Sequence, residues 1–154
     1  MTHQQQLKLL LTENLPYLAK AAKQLNVSYE RCQPIDISNG ELSLDEQERF
    51  EALTARFARL ADLIVQKTIR LIEQIELDGS GSLLDRINKA EKRGLIDNAE
   101  QFIEIRQLRN SIAHDYDETS LNQIFKSCLG YTPVLLDAVN HINAYVANHP
   151  EIMA

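Results

Sequence analysis

Between Arg109 and Tyr116 the chain reads RNSIAHDY, which gathers a guanidinium, an amide, an imidazole, a carboxylate and a phenol in one short stretch. No other part of the sequence is so rich in groups that handle phosphate and move protons. A guanidinium grips phosphate through a planar fork of donors, and an imidazole gives or takes a proton near neutral pH. Together they suit metal-independent cleavage of RNA, in which a base takes the 2′-hydroxyl proton, an acid protonates the leaving oxygen, and positive charge steadies the crowded phosphate. The candidate catalytic residues are therefore His114 for proton transfer and Arg109 for phosphate. Arg106, one turn earlier, is a candidate for substrate binding. Asn110, four residues before His114, can orient the imidazole or touch the same substrate.

Spacing limits what one copy of the stretch can do. In an unbroken helix Arg109 and His114 lie about 140° apart around the axis and cannot converge on one phosphate. Either the helix ends near Ala113 or a second copy of the chain completes the site. A two-fold dimer that apposes two copies supplies two histidines and two arginines around one groove. The competing structural reading is a charged network at a helix end, since Asp115, Asp117 and Glu118 are close in sequence to Arg109 and His114.

The pattern RxxxxHxY, with Asn110 directly after the arginine, resembles the signature of the HEPN superfamily. Its final tyrosine resembles that of the HepT-like toxins, which are paired with minimal nucleotidyltransferases. This resemblance implies an all-α HEPN-type bundle of about five helices, forming a homodimeric endoribonuclease toxin with its site shared between subunits. RNA is the implied substrate, tRNA among the candidates, and no cofactor is called for. Tyr116 is implied as the residue that a cognate nucleotidyltransferase antitoxin modifies with AMP. An adenylyl group adds negative phosphate and bulk beside Arg109 and His114, and so competes with RNA. The alternatives are a non-catalytic substrate-binding or docking subunit of a nucleotidyltransferase, and a helical interaction protein without an RNA role.

The rest of the sequence must position these residues. Its 154 residues suit a single domain spanning 1–154, and a 44% hydrophobic, 25% charged composition is ordinary for a globular chain. Few glycines and prolines among many Leu, Ala, Glu, Gln, Lys and Arg residues favour helices. The net charge of −6 opposes non-specific RNA binding, so any nucleic-acid site must be a local basic patch. Cys32 and Cys128 are far apart and lack metal-ligand spacing, which points to reduced or buried thiols. No HExxH, glycine-rich phosphate loop or nucleophile elbow occurs, so the sequence makes no case for a metal. No secretory signal or bilayer-length apolar run is evident, and the expected location is the cytoplasm.

Apolar spacing predicts the elements in turn. Leu7, Leu10 and Leu11, then Leu18, Ala21, Ala22, Leu25 and Tyr29, mark one bent helix or two short ones around Pro16. Ile35 and Ile37 before Asn39-Gly40 suggest a short hairpin or ordered loop near residues 35–42. A capping box at Ser43 and Glu46 opens a long helix to about Glu76, carrying Phe50, Leu53, Phe57, Leu60, Ile64 and Ile69. Ser82 to Gly94 forms a short helix bearing Arg86, Lys89, Lys92 and Arg93, a broad positive end that is either solvated or in contact with RNA. A box at Asp97 and Glu100 opens the helix that carries the Arg109 stretch. A last helix follows Ser120, with Gly130 and Pro133 expected to kink or divide it and the tail after Asn148 expected to fray.

Overall fold

Three reciprocal capping boxes set the starts of three helices, because each satisfies two amides that a helix end leaves without partners. Thr2 with Gln5 opens α1 (His3–Cys32), Ser43 with Glu46 opens α2 (Leu44–Asp62), and Ser82 with Asp85 opens α4 (Leu83–Arg93). The computed structural model describes residues 1–38, 40–114 and 118–154, so Asn39 and Tyr116 lie outside the described residues. It confirms the all-α class: among the described residues there is no strand. The described residues between α1 and α2 include Ile35, Ile37 and Leu42, which pack half-buried against the core.

Proline does not divide α1. Pro16 lacks an N–H, which costs about 3 kcal/mol inside a helix. Leu11 and Leu18 on either side are 0% and 1% exposed, and each such burial contributes about 1.5–3 kcal/mol. Similarly, α6 (Glu118–Asn148) runs through Pro133 undivided, anchored beyond it by buried Leu135, Ala138 and Ile142.

The long helix predicted to reach Glu76 forms, with one irregularity. After α2 the chain makes a π-helical turn (Leu63–Thr68) and continues as α3 (Ile69–Ile75). The Thr68 hydroxyl donates to the Leu63 carbonyl at 2.8 Å and accepts from the buried Asn14 amide at 2.7 Å. That hydroxyl takes a carbonyl the regular ladder would use, and the Ile69 N–H reaches back five residues to Ile64. A polar pair buried between α1 and this rod therefore holds the rod in its wider turn.

At the end of α3 the Leu77 and Asp78 amides donate to the Gln74 and Glu73 carbonyls. Leu77 adopts φ +59° there, a left-handed conformation usual for glycine. α4 ends as expected at Gly94, with φ +78° and the buried Leu95 amide donating to Ala90 at 3.0 Å. The cap of α5 (Ala99–His114) is Asn98 rather than Asp97: Asn98 Oδ1 accepts from the Gln101 amide at 3.1 Å. Asp97 instead faces His141 at 3.5 Å, and Glu91 takes the Ala99 amide at 2.7 Å.

One continuous core joins these helices. Phe50 of α2 stacks on Phe125 of α6 with ring centres 4.9 Å apart, and Phe57, Ile64, Ile72, Phe102 and Ile142 are buried with them. The tail does not fray. Ile152 is buried in a 3-10 turn (Pro150–Ile152), and the Ala154 amide donates to Thr12 Oγ1 at 3.0 Å.

The Leu77 side chain is 83% exposed, so little packing offsets its left-handed backbone. Leu77→Gly is expected to raise the unfolding free energy by about 1 kcal/mol. Urea denaturation reads this as a higher midpoint at unchanged slope. A lower midpoint would show that the backbone at Leu77 is not strained.

Candidate active site

Phe102 and Ile105 fix the rotation of α5 by burying against the core, with Leu108 and Ile112 half-buried beside them. The face this leaves uncovered carries Gln107, Asn110 and His114, which recur at three- and four-residue steps along one line. Asn110 and His114 are both exposed, and neither forms a hydrogen bond to a described side chain. Arg106 and Arg109 lie to one side of this line, toward α2.

There they meet one carboxylate. Arg109 lays its fork on Asp62, with Nε 3.0 Å from Oδ1 and Nη2 2.9 Å from Oδ2, and Arg106 Nη1 reaches Oδ1 at 3.3 Å. The hydrogen bonds to Asp62 push the Arg109 pKa upward, so it remains a full cation. Two guanidiniums against one carboxylate leave a local excess of one positive charge. The side chains are 30% exposed at Arg106, 28% at Arg109 and 36% at Asp62, so a phosphate can approach the cluster from solvent.

The helix stays regular through His114, its last residue. Consequently the guanidinium of Arg109 and the imidazole of His114 diverge by about 140° around the axis. A single chain brings together Arg106 and Arg109 on Asp62, and separately sets Asn110 and His114 on one line, but does not join the two pairs. Tyr116, the expected modification site, lies outside the described residues.

The basic end anticipated on α4 is largely neutralised. Arg93 pairs with Asp78 at 2.9 Å and Glu76 at 3.3 Å, and Lys89 pairs with Asp78 at 3.0 Å while donating to the Ser80 carbonyl. Arg86 faces the buried Glu73 at 3.6 Å, and burial pushes the Glu73 carboxyl upward. These cations hold the residues 76–82 connection against α4 and leave Lys92 exposed. Among the described residues, no group of three or more His, Cys, Asp or Glu side chains is placed to hold a metal. No described helix is long and apolar enough to cross a membrane.

No protein-family model matches the chain, and neither does any curated protein. The specific part of the resemblance to HEPN proteins is accordingly Arg109 to Tyr116, beside a helix pattern that spans most of the chain.

Asp62 is the site residue that local sequence patterns did not reveal. It does leave one trace: Asp62 is the only carboxylate between Glu51 and Glu73, amid Arg56, Arg59, Lys67 and Arg70. A lone acid in a basic stretch of helix calls for a cationic partner nearby. A double-mutant cycle of Asp62→Asn and Arg109→Gln is expected to give a coupling energy of about 1 kcal/mol, the upper end for a partly exposed pair with bidentate geometry. Additive effects in urea denaturation would mean that the contact does not fix Arg109.

Proposed function

We propose that this chain is a HEPN-type ribonuclease resembling a HepT toxin, acting as a homodimer whose two Arg109–Tyr116 stretches face one groove. His114 acts as acid or base, Arg109 and Arg106 bind phosphate, and Asn110 orients the imidazole. The attacking ribose 2′-oxygen loses its proton to the base and bonds to phosphorus, while the 5′-oxygen of the next nucleotide takes a proton and leaves. The products are a 2′,3′-cyclic phosphate and a 5′-hydroxyl. A cognate minimal nucleotidyltransferase restrains the toxin by attaching AMP to Tyr116.

The observation that carries this reading is the divergence of Arg109 and His114 along a regular α5. A reaction needing both groups at one phosphate requires a second copy, and two-fold pairing supplies the complementary half. Asp62 fits the same scheme, because it holds the Arg109 fork ready until a phosphate takes over those donors. It also favours the second reading, a non-catalytic docking subunit, since a guanidinium already bonded to a carboxylate can be purely structural.

Cleavage assays separate the two. The parent protein is expected to cut RNA in the presence of EDTA and leave cyclic phosphate ends. Arg109→Ala and His114→Ala should each lower the rate by about 10²–10⁴-fold. Mixing the two inactive variants should restore part of the activity through mixed dimers. Unchanged cleavage by His114→Ala, or full activity of a verified monomer, would end the ribonuclease proposal.

Modification has its own test. Incubation with the cognate transferase and ATP should add the mass of AMP to the parent protein and not to Tyr116→Phe. An increment that persists in the phenylalanine variant would place the modification elsewhere.

A further inference from the structure

On the other flank of Asp62, the α2 rod and α1 enclose a groove of about 410 Å³. Its lining includes Lys20 and Tyr17 from α1, Arg59 from α2, and Leu63 and Lys67 from the π-helical turn. Three cations face this space and no carboxylate lines it, although the chain as a whole carries a net charge of −6. None of Lys20, Arg59 and Lys67 takes part in an ion pair with a described carboxylate, in contrast to Arg86, Lys89 and Arg93 on α4. Tyr17, 67% exposed, adds an aromatic face at the same groove.

The groove is also tied to the candidate active site. Arg59 stands three residues before Asp62, hence on the adjacent turn of the same helix face, and Leu63 directly follows Asp62. The outer surface of this rod therefore runs from Asp62, which holds Arg106 and Arg109, to Arg59 and Lys67, and Lys20 of α1 lines the same groove. The Asn14–Thr68 contact that sustains the π-turn underlies the groove, since Asn14 also lines it.

We propose that this groove binds single-stranded RNA leading away from the cleavage site, with Lys20, Arg59 and Lys67 meeting phosphates and Tyr17 stacking on an unpaired base. Charge alone would accept any polyanion. The exposed ring among the cations favours a single strand, whose bases are free to stack on an aromatic face. The inference rests on the ribonuclease reading for its ligand class and extends that reading to a strand path beyond the reacting phosphate.

The test is binding of a short fluorescein-labelled oligouridine, followed by fluorescence anisotropy over a range of salt. It uses the His114→Ala protein, so that the probe stays intact. Adding Lys20→Ala, Arg59→Ala and Lys67→Ala together is expected to weaken binding at least about tenfold. It should also flatten the slope of log affinity against log salt by about 2, as three single-strand phosphate contacts require. Tyr17→Ala alone should cost about tenfold, with Tyr17→Phe restoring affinity. Lys92→Ala, a control on exposed α4, should change nothing.

If the triple variant binds as tightly as its parent, the groove proposal falls while the ribonuclease reading stands. Should the His114→Ala protein bind no oligouridine, the groove proposal falls, and cleavage by the unsubstituted protein decides the other question separately. Binding that depends on the groove in a protein that never cleaves RNA would support the groove and remove the ribonuclease. Equal groove-dependent binding of polyglutamate or anionic lipid vesicles would overturn the choice of RNA. Dissociation of a dimer by the triple variant would instead assign the groove to contact between copies. If the triple variant melts at a lower temperature, the single Lys67→Glu substitution gives the same readout at an exposed side chain.

Discussion

A single carboxylate, Asp62, joins the α2 rod to the helix that carries the candidate chemistry. Its two oxygens receive the fork of Arg109 and one arm of Arg106, and this cross-link lies at the entrance to a π-helical turn. Burial of Phe102 and Ile105 fixes which way α5 faces, and Asp62 then fixes where its guanidiniums point. The histidine on the far line of the same helix owes its place to helical geometry alone. Division of Arg109 and His114 between two faces of one helix is thus a direct product of core packing and the 3.6-residue repeat.

Charge is distributed unequally along the chain. On α4 Arg86, Lys89 and Arg93 are matched by Glu73, Glu76 and Asp78 and hold a connection in place. Between Glu51 and Glu73 on the α2 rod one acid stands among several bases, and the imbalance reaches the surface. An acidic protein can therefore present a local field suited to phosphate, because screening confines each field to about 10 Å at moderate salt.

Much of the fold was legible because helical burial leaves a regular trace. Phe50, Leu53, Phe57, Leu60 and Ile64 gave the long rod, Ser43 with Glu46 gave its start, and Gly94 gave the end of α4. Features that depend on contacts remote in sequence were not legible. Asp62 and Arg109 are 47 residues apart and Asn14 and Thr68 are 54 apart, so neither pair marks its local neighbourhood. The cap of α5 moved from Asp97 to Asn98 because both side chains suit the role and His141, far along the chain, engages the first. Pro133 looked like a break because its missing amide is a local property, whereas the buried Leu135 and Ile142 beyond it belong to the core. Within the site, the residue types and the angular separation of Arg109 from His114 were legible from spacing. The partner that orients the arginine was not.

The two thiols carry a practical consequence. Cys32 and Cys128 are both 0% exposed; burial pushes the Cys32 thiol up to about 11 and the Cys128 thiol higher still. Neither offers a reactive thiolate to a maleimide at neutral pH. A cysteine introduced at exposed Gln107, on the same line as His114, would thus accept a nitroxide spin label alone. A dipolar coupling between two such labels would then report directly on whether copies of the chain face one another in solution.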